Sequence, residues 1–194
     1  MWARLTVNWV YGGFLAGLMV LALFPLLTQG WSAQDYLSFL VLPLYMLHQF
    51  EEHDDDRFRT FFNATIGKGY PVLTQSAVFI INIVGVWCVL VAVFYAMRWW
   101  SSGWGIIAIY LIAINAAVHI FSAAFEKQYN PGLITACLFF VPLTAYYSWT
   151  QDQISIAQNI VGFVIAFAIH ASIMVYAKMR YRRLVLILAP PDRS

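Results

Sequence analysis

Three constellations place side chains able to bind a metal or move a proton inside otherwise apolar stretches. In His48-Gln49-Phe50-Glu51-Glu52 the histidine stands three and four residues before the two glutamates, spacings that share one face of a helix. An imidazole and a carboxylate one turn apart form half of a divalent-metal site and, equally, a proton-transfer pair. Asn115, His119, Ser122 and Glu126 follow one another at intervals of four, three and four residues, again a single helical face. His170 stands alone among Phe167, Ala168, Ile169 and Ala171. Ionisable groups inside a bilayer are costly and mark functional positions by default. On that ground His48, Glu51, Glu52, Asn115, His119 and His170 are the candidate site residues. Plainer readings stand beside them. His170 and Asn115 could serve only as interhelical hydrogen-bonders, Glu51, Glu52 and His53 as the solvated end of a short helix, and Glu126 as a surface group beside Lys127. Asn82 and Gln75 read as polar links between helices, without a further role.

The elements that must position these groups are membrane helices. Of 194 residues, 62% are hydrophobic and 10% charged, where a soluble domain carries roughly 25% charged residues. Crossing a hydrocarbon core takes about 20 mostly apolar residues. Six segments meet that need: 8–27, 35–50, 71–97, 104–125, 131–149 and 154–178. The expectation is an all-α chain, a single domain of six transmembrane helices, with the first run retained as a helix and not cleaved. Trp31, Trp99, Trp100, Trp104 and Trp149 fall at segment ends, where an interfacial aromatic belt would put them. Asn130-Pro131-Gly132 reads as the start of the fifth helix, with proline at its first position. Cys88 and Cys137 lie in apolar runs without a CxxC pattern and read as reduced packing residues.

Charge placement orients the bundle. With both termini on one side, that side holds ten of the 11 lysines and arginines, from Arg4 to Arg193, and the other holds only Arg98. Such asymmetry puts both termini in the cytoplasm. Lys178, Arg180, Arg182 and Arg183 then act as an orientation signal compatible with anionic lipid. A net charge of +2 gives no basis for nucleic-acid binding. Spans two, four and six all run inward. At about 1.5 Å per residue, His119 lies about 22 Å past Trp104, His170 about 24 Å past Ile154 and His48 about 20 Å past Asp35, with Glu52 about 6 Å deeper. The polar groups therefore agree in depth, toward the cytoplasmic leaflet, and a shared site is geometrically cheap.

His48-x-x-Glu51-Glu52, Asn115-x-x-x-His119 and Tyr129-x-Pro131-Gly132 occur in that order. This ordered trio resembles the signature of the HXXEE family of small bacterial membrane proteins, over the chain from the second span to the start of the fifth. The resemblance implies a helical protein of the bacterial inner membrane and a set of positions, but no reaction. A more distant similarity, to the CAAX-type intramembrane proteases, rests on the order Glu51-Glu52, His119, His170. Arg57 comes one residue late for that pattern, Asn115 stands in place of its phenylalanine, and Met174 in place of its final asparagine.

The reading these residues support is a membrane-embedded metalloenzyme, hydrolytic, acting near the cytoplasmic leaflet. His48, Glu52, His119 and His170 would hold a divalent metal, zinc in the simplest case and iron as the alternative. The remaining glutamate would move the proton of the metal-bound water, and Asn115 would orient His119 or a substrate carbonyl. Such a burial depth points to a lipid, a lipid-linked molecule or a membrane-inserted peptide as substrate. Three other readings use the same residues: a metal-free glutamate-dependent protease, a haem protein with two axial histidines, and a proton or metal-ion carrier.

Overall fold

The computed structural model describes residues 1–150 and 154–188; Arg193, counted above with the basic side, lies outside them. The described residues form helices joined by short turns, with no strand among them. In chain order these are α1 (Trp2–Leu27), α2 (Ala33–His53), a single 3-10 turn (Asp54–Asp56), α3 (Arg57–Thr65) and α4 (Gln75–Trp99). A 3-10 turn (Ser102–Gly105) then leads into α5 (Ile106–Glu126), followed by α6 (Leu133–Thr150) and α7 (Ile156–Leu188). Among the described residues, five stretches are long and apolar enough to cross a membrane: α1, α4, Ser102–Glu126, α6 and α7. Their outer faces expose Leu15, Met19, Val84, Phe121, Phe125, Leu138 and Phe167, a surface suited to lipid and not to water. Trp31, Trp99, Trp100 and Trp149 are exposed at helix ends.

The helix α2 differs from those five. It carries Gln34, Asp35, His48, Gln49, Glu51 and Glu52 within 21 residues, and it turns most of these inward against its neighbours. It runs beside α1, where Gly17 makes the close approach possible. A Cβ at Gly17 would lie 2.9 Å from Cβ of Met46 and 3.3 Å from the carbonyl of Pro43. On its other side α2 meets α4, α5 and α6 around a fully enclosed apolar core that includes Val41, Leu90, Leu111, Ile112, Phe140 and Tyr147.

Several boundaries differ from the sequence expectation for physical reasons. The third span starts at Gln75 and not at Pro71, because Asn63 holds the backbone of Leu73 in a two-way hydrogen bond and the Thr74 hydroxyl caps Ala77 N–H at 3.1 Å. The sixth continues past Lys178 to Leu188, since no glycine or proline stands between Lys178 and Pro190. Pro131 does not open the fifth helix. Gly132, at φ +98°, occupies the position before Leu133, and the side chain of Asn130 is engaged elsewhere. Cys88 and Cys137 are exposed on the helix surfaces, not packed inside. Both α4 and α6 contain a π turn, at Ile83–Cys88 and Ala136–Phe140. Such turns re-aim side chains locally, and here both adjoin the polar interior.

Candidate metal centre

The centre is built where the last turns of α2 and α5 meet the start of α6. His48, Glu52 and His119 are 0%, 6% and 5% exposed, so their polar atoms are removed from bulk solvent. One ligand atom from each lies within 4.8 Å of the others. The Nε2 of His48 is 3.7 Å from one Glu52 oxygen, and the Nε2 of His119 is 3.6 Å from the other. The two rings stand nearly perpendicular with centroids 5.1 Å apart.

The opposite edge of each ring fixes its tautomer. The amide of Asn130 donates to the carbonyl of His119 at 2.9 Å, which turns its own oxygen toward His119 Nδ1 at 2.6 Å. An amide oxygen only accepts, so Nδ1 of His119 carries a proton, and in the neutral ring Nε2 holds the lone pair. For His48, Nδ1 lies 2.8 Å from the Thr135 hydroxyl. That hydroxyl spends its single proton on Glu51 Oε2, a far shorter contact than the 3.3 Å to the Gly132 carbonyl. It therefore accepts from His48 Nδ1–H, which in the neutral ring leaves the lone pair on Nε2. Nε2 of His48 is buried with no hydrogen-bond partner. Two imidazole Nε2 edges and a carboxylate thus converge, and the Nδ1 partners leave both Nε2 atoms turned toward the space where a cation would sit.

The dimensions suit a small divalent ion. Bonds of about 2.0–2.2 Å in a tetrahedral site put neighbouring ligand atoms about 3.4 Å apart; each histidine lies 3.6–3.7 Å from a different Glu52 oxygen, and one ligand atom from each of the three lies within 4.8 Å of the others. The outer partners follow the pattern in which each ligating histidine donates its second N–H to a carbonyl-type or hydroxyl oxygen. Among the described residues, this trio is the cluster whose ligand atoms come together.

Glu51 and Glu52, adjacent in sequence, do different things. Glu52 points into the centre. Glu51 accepts from the backbone N–H of Ile134 and Thr135 at 3.1 and 2.7 Å, from the Thr135 hydroxyl, and from Tyr129 O–H at 2.8 Å. A carboxylate bound this way caps the first turn of α6 and ties the loop after α5 to the end of α2. Burial, together with the bond to Glu51, pushes the Tyr129 phenol up to about 12. Gly132 closes the floor. A Cβ there would lie 2.7 Å from Cε1 of His119 and 2.9 Å from Cε1 of His48, so no other residue fits beneath the rings.

A second polar chain reaches Glu52 from α4. Trp87, a donor only, fixes the Gln49 amide at 2.8 Å, and Gln49 donates to Asn82 at 2.8 Å. The Asn82 amide then faces Nε2 of His53 at 3.1 Å, and that same Nε2 lies 3.1 Å from Glu52 Oε2. His53 is therefore buried and not the solvated helix end that sequence alone allows, and Asn82 is part of a directed network.

The remaining candidates lie around this centre. Asn115 sits one turn before His119 and donates to the Tyr45 hydroxyl at 3.2 Å, while its own Oδ1 is buried without a partner. The Tyr45 ring packs edge-on against His48 at 5.6 Å. His170 is half-buried on α7 and donates Nδ1–H to the Ala166 carbonyl at 2.8 Å, so its Nε2 also presents a lone pair. Its ligand atoms are not among the clustered trio. Ser122 is half-buried and Glu126 exposed. Asn130, Thr135 and Gly132 are the residues that sequence reasoning missed as parts of the centre. The signal available for them was the Tyr129-x-Pro131-Gly132 motif, which brackets Asn130 and ends three residues before Thr135.

No curated protein and no solved structure matches the chain. A family model described as a protein of unknown function with HXXEE motif matches residues 39–147. That stretch is more than half of the chain and holds every residue of the centre from His48 to Thr135, so the chain belongs to the HXXEE family.

Proposed function

We propose that this protein is a membrane-embedded, metal-dependent hydrolase acting on a lipid-soluble or membrane-inserted substrate. The observation that carries the reading is the convergence of two Nε2 atoms and a carboxylate on one buried space, each ring held from behind through its Nδ1. His48, Glu52 and His119 would hold the ion, zinc in the simplest case. Three protein ligands leave a position for water or substrate, the usual form of a catalytic zinc site. When bound, the metal supplies an acidified water and an electrophile for a carbonyl or phosphoryl oxygen.

The other residues take supporting parts. With its lone pairs committed to α6, Glu51 positions Thr135 and through it His48. The free Oδ1 of Asn115 is placed to accept from a substrate O–H or N–H. His170, on the far helix, is the candidate for a fourth ligand or for contact with the reacting group. We assign α2 as the sixth span, on the strength of its burial among the other five helices, and place both termini in the cytoplasm on the strength of the lysine and arginine distribution. The bacterial inner membrane is the location this implies.

The test is a product screen. Purified protein reconstituted in vesicles of total membrane lipid, with and without an added membrane peptide library, is compared with His119→Ala and with chelated wild type by mass spectrometry. The proposal expects a hydrolysis product that appears only with the metal-loaded wild type. Identical product profiles from all three samples would refute it.

A further inference from the structure

The centre is closed on most sides. Gly132 lies under both imidazoles, Phe140 packs on His48 with ring centroids 4.5 Å apart, and Tyr45 flanks the same ring. An ion needs a way in. On the far side of Glu52 a cavity of about 240 Å³ lies between the start of α1, the Asp54–Asp56 turn and the start of α4. Its lining includes Thr6, Asn8, Trp9, His53, Asp55 and Asp56, and no lysine or arginine.

The turn that walls this cavity is an unusual one. Asp55 and Asp56 both adopt left-handed backbone angles, φ 53° and 59°, a conformation rare outside glycine and best tolerated by asparagine and aspartate. Two such residues in succession reverse the chain at the end of α2 and bring both side chains to the cavity. Asp56 is paired with Arg59, whereas Asp55 has no ion-pair partner among the described residues. Acidic side chains alone would say nothing about a ligand. What matters is where the cavity leads. It is lined by His53, 7% exposed, whose Nε2 is 3.1 Å from Glu52 Oε2, and behind Glu52 lies the unpartnered Nε2 of His48.

We propose that this cavity is the route by which a divalent cation reaches the His48–Glu52–His119 centre. The unpaired carboxylate of Asp55 draws the ion in, beside an Asp56 already bound by Arg59, and His53 passes it to Glu52. A cavity that carries an uncompensated negative charge beside a low-dielectric surround concentrates counter-ions and speeds their capture. The inference rests on the metal reading above, and it makes a kinetic claim that the reading alone does not. A residue of the route changes how fast the ion binds and leaves, and not how tightly it is held.

The experiment follows Co²⁺ or Zn²⁺ loading of the chelator-stripped full chain in detergent by stopped flow, with equilibrium affinity measured on the same samples. Asp55→Asn removes charge while keeping a residue that accepts the left-handed conformation, and Asp55→Asn/Asp56→Asn removes both charges. Glu126→Gln, an exposed carboxylate outside the lining, is the control. We expect the loading rate to fall roughly threefold to tenfold at low salt in the aspartate variants. The release rate should fall by the same factor, with Kd unchanged and the difference shrinking at about 0.5 M salt. Wild-type loading rates in the variants would overturn the route, as would a Kd weakened in step with the rate. A wild type that takes up no metal would overturn the metal reading, and the route with it.

Discussion

His119 and Asn130 hold each other in a closed pair: the asparagine amide donates to the histidine carbonyl at 2.9 Å, and the ring Nδ1 donates back to the amide oxygen at 2.6 Å. The two residues are 11 apart, across the end of α5 and the turn at Lys127, whose φ is 51°. The pair sets both the tautomer and the angle of the ring. Second partners of this kind typically govern metal affinity by about 10–100-fold. Asn130→Ala should therefore weaken metal binding by about that factor while leaving the helix content by circular dichroism intact. Competition against a chromophoric chelator measures it; an unchanged affinity would separate Asn130 from the centre.

Thr135 does for His48 what Asn130 does for His119, but through a hydroxyl. Thr135→Val keeps the shape and removes the link from Glu51 to His48 Nδ1. The expected result is about a tenfold or greater loss of metal affinity, with Thr135→Ser close to wild type. If valine and serine behave alike, the hydroxyl is not the link.

Gly132 combines two constraints. Its φ of +98° strains any other residue, and a methyl group there would press within 2.7 Å of the His119 ring. Gly132→Ala should lower stability by about 1–3 kcal/mol, seen as a lower apparent Tm in detergent, and should weaken metal binding as the rings are displaced. Gly30, also at positive φ but with open space where its Cβ would lie, carries only the backbone part of that cost. A Gly132→Ala Tm no lower than that of Gly30→Ala would show that the ring contact does not matter.

The Tyr129–Glu51 contact predicts a pH dependence at the alkaline end. Burial and the bond to Glu51 raise the phenol from its usual 10 to about 12. A folded-state value raised in this way means the contact contributes fully below about pH 10 and is lost as pH rises through about 12. Difference absorbance of wild type against Tyr129→Phe should show one tyrosine ionising in that upper window. A difference spectrum centred near pH 10 would mean the latch to α6 is absent in solution.

The helical chain and the inward-facing polar residues of α2 and α5 were legible in sequence, because 3.6-residue periodicity and the cost of buried charge act locally. His48 with Glu52, and Asn115 with His119, are set by helical spacing alone. Asn130 and Thr135 were not legible, since they join the centre only when a loop folds back across α5 and a helix starts against Glu51. For His53 the solvated helix end stayed open for a similar reason. Its burial depends on two consecutive aspartates turning left-handed, a conformation their side chains tolerate but do not announce. The run-on of α7 past Lys178 reflects the absence of a breaker, which hydropathy does not register, because basic side chains can continue a helix beyond the apolar core.

The central claim is that His48, Glu52 and His119 hold a metal ion, and elemental analysis of the detergent-purified protein tests it most directly. The measurement is metal per chain after loading with Zn²⁺ and removal of excess, for wild type and for His48→Ala, Glu52→Gln and His119→Ala, with folding checked by circular dichroism. The account predicts about one equivalent in the wild type, as expected of a single three-ligand site, and loss of it in each folded variant. A folded wild type that retains no metal, or variants that retain it undiminished, would contradict the account.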